Sequence, residues 1–218
     1  VPPLLIDMRL ALEREKHPFF EHSAADFFVA ERSGEVVGRI AALENRRYNA
    51  THHMQQAQFY FFDCENDAET AQALFERVFD WARKRGLNQA VGPKGLSAFD
   101  GYGMQVEGFE HRQMMTMMNY NFAYYPALAE RNGFRKEVDF VSCYLHIDTF
   151  QVPERVHRIA ERVQARGTLR VQQFSSKREL RQWADKIGRA NNQNFINNWE
   201  YYPLTDREHN AYQLAQDQ

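Results

Sequence analysis

Residues 27 to 42 constrain the fold more than any other stretch. Phe27-Phe28-Val29-Ala30 and Val36-Val37-Gly38-Arg39-Ile40-Ala41-Ala42 are two apolar runs on either side of Ser33-Gly34-Glu35. Runs of this kind around a short glycine-containing turn predict a β-hairpin. An isolated hairpin is only marginally stable in water, so its apolar residues need a further strand or a helix to pack against. Both follow at once. Gln58 to Phe62 reads as a third strand rich in aromatics, and Leu74, Phe75, Val78 and Ala82 form one apolar helical face. Asn66 with Glu69 three residues later predicts a capping box for that helix, and Gly86 a C-terminal stop. Asn88 to Val91 is a short strand ended by Gly92-Pro93.

The rest of the chain is less regular. Residues 1–12 carry a helical pattern interrupted at His17-Pro18, because the residue before proline avoids the helical region. Residues 45–55 read as a polar connection. Residues 93–120 are irregular, with Gly95, Gly101, Gly103 and Gly108 ahead of the run Met114-Met115-Thr116-Met117-Met118. A long irregular connection inside a compact domain is often functional. Tyr124 to Arg131 is a short helix closed by Asn132-Gly133, and Val138 to Ile147 reads as a long strand. Pro153 then starts a helix with Val156, Ile159, Ala160 and Val163 on one face, ended by Gly167. Leu169 to Phe174 is strand-like. Ser176 with Glu179, and Thr205 with Glu208, are two further capping boxes. A start at Val1 and a helical pattern still running at Gln218 fit a fragment of something longer.

Charge and composition exclude several classes. Lys and Arg number 27 against 29 Asp and Glu, so the basic excess expected of a nucleic-acid binder is missing. No apolar run approaches the ~20 residues of a membrane-spanning helix, and no secretory signal opens the chain. Cys64 and Cys143 are far apart and make neither a disulfide framework nor a zinc pattern, which predicts reduced thiols in a cytoplasmic protein. The eight histidines show no ligand spacing, so no metal is expected, and His52-His53 reads as a solvated turn.

The element order resembles the GNAT superfamily of N-acetyltransferases. Residues 28–41 resemble that family's second and third strands with their tight hairpin, and residues 127–134, Ala-Leu-Ala-Glu-Arg-Asn-Gly-Phe, resemble its late helix. More narrowly, Val1-Pro2-Pro3-Leu4-Leu5, Asn45-Arg46-Arg47, Met117-Met118-Asn119-Tyr120-Asn121 and Tyr124-Tyr125-Pro126 are similar to bacterial tandem GNAT-like proteins. The resemblance implies an α/β (α+β) fold: a mixed, mostly antiparallel sheet with helices on both faces. It divides the chain into a GNAT-like domain at 1–150 with its first strand and helix missing, a linker helix at 151–167, and the start of a second half at 168–218. Leu169 to Phe174 is then a candidate to fill the place of the missing first strand, within the chain or across a dimer.

The resemblance also implies acetyl-CoA as cofactor and a small-molecule amine as acceptor. Backbone groups of Phe61, Phe62 and Asp63 would hold the cofactor. Tyr125 is the candidate general acid, one helical turn before Ala129, where the family often has tyrosine. Glu65 or Asp63 is the candidate base, and Ser97 and Asp100 the candidate substrate contacts. One departure is sharp. The family's pyrophosphate loop is glycine-rich and leads into a helix N-terminus, which favours an anion. Here residues 63–69 contain no glycine and four carboxylates, Asp63, Glu65, Asp67 and Glu69. Three readings stand beside one another: an acyl-CoA-dependent N-acyltransferase with its competent site in the second half, a non-catalytic small-ligand or interaction module, and, more weakly, a peptidyl or aminoacyl transferase using charged tRNA in place of CoA. A homodimer, or packing against the second half, is the expected assembly.

Overall fold

The structure is a computed structural model that describes residues 5–97, 100–111, 119–143, 145–146 and 148–209. It contains two compact units, residues 1–136 with 185–218, and residues 137–184.

The first unit is built on a four-stranded sheet in the order β1 (Ala24–Arg32), β2 (Glu35–Glu44), β3 (Gln56–Cys64) and β4 (Gln89–Val91). β1, β2 and β3 are antiparallel, and β4 joins β3 in parallel. The hairpin is as predicted. Ser33 and Gly34 both take positive φ, the two-residue turn whose twist suits a right-twisted hairpin. The helix after β3, labelled α3 (Ala68–Arg83) once α1 (Leu5–Leu12) and α2 (Arg46–His52) are counted, packs on one sheet face. Its cap is one residue later than predicted. Asp67, not Asn66, accepts the Thr70 N–H at 2.8 Å. Helix α4 (Tyr125–Arg131) lies beside α3 and ends at Gly133 in positive φ. Leu74, Phe75 and Val78 of α3 meet Ile40, Phe59 and Phe62 of the sheet and Leu128 of α4 in the main core.

A smaller cluster lies on the opposite face, where Phe19, Ala41, Leu43 and Leu96 are buried with Tyr60 and Phe61 beside them. Together these layers form the mixed α+β architecture expected of a GNAT-like fold. The connection at 45–55 contains α2, capped by Asn45 through the Tyr48 N–H at 3.0 Å. Helix α2 buries Tyr48 against Tyr202 and Leu204 of the C-terminal segment. His52 is therefore not a solvated turn residue, since its Nε2 hydrogen-bonds the Tyr201 carbonyl at 2.9 Å. The Thr205 and Glu208 capping box forms reciprocally, at 2.7 and 3.1 Å.

The second unit carries α5 (Glu154–Arg166) and α6 (Lys177–Gln182); α7 (Ala184–Phe195) then runs into the first unit. Ser176 caps α6, but Glu179 reaches back to Ser175 rather than Ser176. Neither expected strand forms here. The described residues of 138–147, and residues 169–174, are irregular, with Val141 and Val171 each 85% exposed. A strand needs a neighbour for its backbone groups, and among the described residues neither segment has one. The strand expected at Leu169 to Phe174 is therefore not formed. The methionine run at 114–118 lies outside the described residues. Among the described residues, no helix is long and apolar enough to cross a membrane.

Candidate functional site

The geometry of β3 organises the site. Opposite β2, residue pairing runs Ala41 with Tyr60 and then Arg39 with Asp63, so two steps on β2 match three on β3. The extra residue is a β-bulge, with Phe61 at φ +51. A bulge changes the parity of the strand. Ala57 and Phe59 face α3 before it, and Phe62 and Cys64 face α3 after it. On the other edge β3 leaves β4 early. Pairing ends at Gln58 with Val91, and the last link is the Lys94 N–H donated to the Phe59 carbonyl at 2.8 Å.

The free end of β3 is held by two phenols of α4 and its N-cap. The Tyr125 hydroxyl accepts the Cys64 N–H at 3.2 Å and donates to the Asp63 carboxylate, while the Tyr124 hydroxyl donates to the Cys64 carbonyl at 2.8 Å. Both backbone groups of Cys64 are thereby satisfied where a neighbouring strand would otherwise be required. Tyr125 is 4% exposed, and burial followed by the Asp63 carboxylate pushes its hydroxyl well above the usual phenol range. Asp63 is half-exposed and also faces Arg39 at 3.5 Å. The structure brings Tyr125 and Asp63 together. Glu65 instead points to Arg32, at 3.7 Å, with its side chain exposed. Burial, with Asp67, Asp63 and Glu65 around it, pushes the Cys64 thiol up to about 11, so it stays protonated near neutrality.

The N-terminus of α3 decides the fit of the implied acetyl-CoA. Asp67 accepts the Thr70 N–H at 2.8 Å and the Thr70 hydroxyl at 2.6 Å, and Arg32 donates to the same carboxylate at 2.6 Å. These contacts hold the Asp67 carboxyl down to about 2. The anion at this helix end is the protein's own side chain. With Glu65 beside it, the loop does not fit a pyrophosphate, and no step is assigned to CoA here.

The chain is similar to a protein named bacterial ceramide synthase from Caulobacter vibrioides (strain NA1000 / CB15N), 29% identical over 209 residues, covering 95% of this chain and 53% of that protein. It is also similar to Protein YghO of Escherichia coli (strain K12), 24% identical over 211 residues, with 95% and 52% covered. The chain thus spans about half the length of the curated relatives it matches. No protein-family model matches it, and no solved structure does.

A second feature lies on the sheet face opposite α3. A cavity of about 250 Å³ is bordered by Gln58 of β3, by Lys94 and Ser97 after β4, and by Trp199, Glu200 and Tyr201 of the C-terminal segment. Of the predicted substrate contacts, Ser97 lines this cavity. Its N–H is taken by Asp100 Oδ2 at 2.8 Å, so the pair shapes the loop. Gln58, Lys94 and Glu200 were not anticipated from the sequence. The available signal was a pair of glutamines, Gln56 and Gln58, alternating with apolar residues in a strand buried on both faces. Asn192 secures the far wall by accepting the Tyr201 hydroxyl at 2.6 Å and the Leu204 N–H at 3.0 Å.

Proposed function

We propose that this chain is the acceptor-binding half of an N-acyltransferase that places an acyl group on the amine of a long-chain amino alcohol. The observation that carries this reading is the similarity, across 95% of the chain, to a protein named bacterial ceramide synthase. A ceramide is an N-acylated long-chain amino alcohol, so its synthesis forms a C–N bond while an acyl–carrier bond breaks and the amine loses a proton. Two structural features support an acceptor role. The cavity joins an aromatic wall to a few polar groups, the usual make-up of a small-molecule site. The carboxylates at the α3 N-terminus argue that an activated acyl donor is held elsewhere in the full-length protein.

Those same carboxylates favour a second reading, a module that binds a small ligand without catalysis. One assay separates the two. The full-length protein is incubated with an eighteen-carbon 2-amino-1,3-diol and, in turn, acyl-CoA and an acyl-carrier-protein thioester, and the N-acyl amide is followed by mass spectrometry. Amide formation is expected with one of the donors. Saturable binding of the amine with no amide from either donor would leave the non-catalytic module.

A further inference from the structure

The cavity opposite α3 has the marks of a built site. Gln58 lines it, is only 1% exposed, and its Oε1 has no hydrogen-bond partner among the described residues. Buried acceptors are almost always satisfied, so an orphan beside a cavity asks for a donor from a ligand or water. Lys94 and Glu200 form the wall. Their charged groups are 2.5 Å apart and both side chains are 14% exposed. The second Glu200 oxygen accepts the Tyr48 hydroxyl at 3.0 Å, and Lys94 Nζ sits 3.9 Å from the centre of the Tyr48 ring. Glu200 itself lies at φ +54, a conformation unusual for a residue with a Cβ and one that tends to persist where a side chain must be aimed. Phe195 lines the cavity with Trp199, a residue 52% exposed.

We propose that this cavity binds the uncharged-to-cationic polar head of the acceptor, the amino alcohol end, with Gln58 Oε1 accepting from its hydroxyl or amine and the Lys94–Glu200 pair engaging the remaining polar atoms. This rests on the acyltransferase reading and names the part of the substrate that this half holds. Ligand sites usually run to about 300–1,000 Å³, so about 250 Å³ admits a head group and leaves the hydrocarbon chain outside, along Trp199 and Phe195. The charge arrangement disfavours a phosphorylated head. The Lys94 charge is balanced by Glu200, and the Glu200 carboxylate and Gln58 Oε1 would face phosphate oxygens with acceptors of their own.

The test is calorimetry and tryptophan fluorescence with an eight-carbon 2-amino-1,3-diol, its O-phosphate and octylamine as probes. The amino diol is expected to bind saturably, octylamine more weakly, and the O-phosphate not at all. Gln58→Leu and Glu200→Gln should each weaken amino-diol binding tenfold or more. Trp199→Phe, at an exposed position, should remove the fluorescence response. The proposal falls if the amino diol does not bind, if the O-phosphate binds as well as the parent diol, or if the fluorescence response survives in Trp199→Phe. It also falls if both cavity variants, melting like the wild type, bind within twofold of it. Amide synthesis by the full-length protein with an unchanged amine KM in Gln58→Leu would overturn this site and leave the acyltransferase reading standing. Binding at the cavity without amide synthesis from either donor would do the reverse.

Discussion

Replacing Tyr125 by Phe distinguishes a phenol that holds the sheet from one that donates a proton in catalysis. The ring stays, so its packing 5.1 Å from the Phe62 ring is retained. The change removes the acceptor for the Cys64 N–H and the donor to Asp63. These losses are unequal. Cys64 is 4% exposed, and a buried N–H left without a partner costs about 1–3 kcal/mol. The Asp63 side chain is 53% exposed and recovers water, so its loss adds little. The expected destabilisation is therefore about 2 kcal/mol. For a chain of this size that lowers Tm by about 4–8 °C. Urea titration should show a lower midpoint at unchanged m. Tyr124→Phe should cost less, about 0.5–1.5 kcal/mol, because the Cys64 carbonyl keeps a second lone pair for water at this half-buried edge. A stability change in Tyr125→Phe below about 0.5 kcal/mol would refute the argument. So would a large loss of acyl transfer in the full-length protein with stability unchanged, which would return Tyr125 to the chemistry.

Three more outcomes follow from the same contacts. Asp67→Ala should flatten the acid limb of stability. The folded Asp67 carboxyl sits near 2 against an ordinary 3.8, so its contribution is present above pH 4 and is lost as pH falls toward 2; thermal melts across that window check it, and an unchanged acid limb would refute it. A thiol reagent at pH 8 should label Cys143, which is exposed, and spare Cys64, whose thiol near 11 leaves only ~0.1% thiolate; equal labelling in the native protein would contradict the burial. Gly38→Ala should cost about 1–3 kcal/mol in urea, because a Cβ there meets Leu74 Cδ1 at 2.9 Å and the Asp63 carbonyl at 3.1 Å where α3 rests on β2; a neutral substitution would mean α3 is free to shift.

Local signals made much of the fold legible. The Ser33-Gly34 turn, the apolar stripe of α3, Gly86 and Asn132-Gly133 each act within a few residues, and each element they mark is present. The elements that were missed depend on distant partners. Residues 46–52 have no apolar stripe, and α2 stands because Tyr48 packs on Tyr202 and Arg47 reaches the Pro203 carbonyl at 2.7 Å. The two expected strands at 138–147 and 169–174 have the composition of strands but no described neighbour to pair with. At the candidate site the sequence located Tyr125 and Asp63, which the fold joins, and the carboxylate-rich α3 N-terminus. It could not assemble the cavity, whose Gln58, Lys94 and Glu200 come from three separate stretches of chain.

The bulge at Phe61 links the two sides of β3 and can be tested directly. Before it, Ala57 and Phe59 face α3 while Gln58 lines the cavity; after it, Phe62 and Cys64 face α3 and Asp63 faces away. Deleting Phe61 removes the one extra residue between Tyr60 and Phe62 and restores plain alternation, so Phe62 and Cys64 keep facing α3 and Asp63 keeps facing away. Tyr60 would stay opposite Ala41 and Asp63 opposite Arg39, which leaves Phe62 opposite Ile40. The deletion loses the ring and the left-handed residue together, so the shortened chain should still unfold cooperatively. Phe61→Gly keeps the bulge and removes only the ring. Glycine relieves a left-handed conformation that costs about 1–2 kcal/mol with a Cβ present. It also forfeits a similar amount from the ring's contact with Phe27, at 6.3 Å between centroids. That variant should unfold within about 1 kcal/mol of the wild type, the difference between those two opposing effects. A deletion that abolished cooperative unfolding would show that the residues after Phe61 do not keep their faces without the bulge, and the placement of Gln58 and Asp63 on a common face would then depend on it.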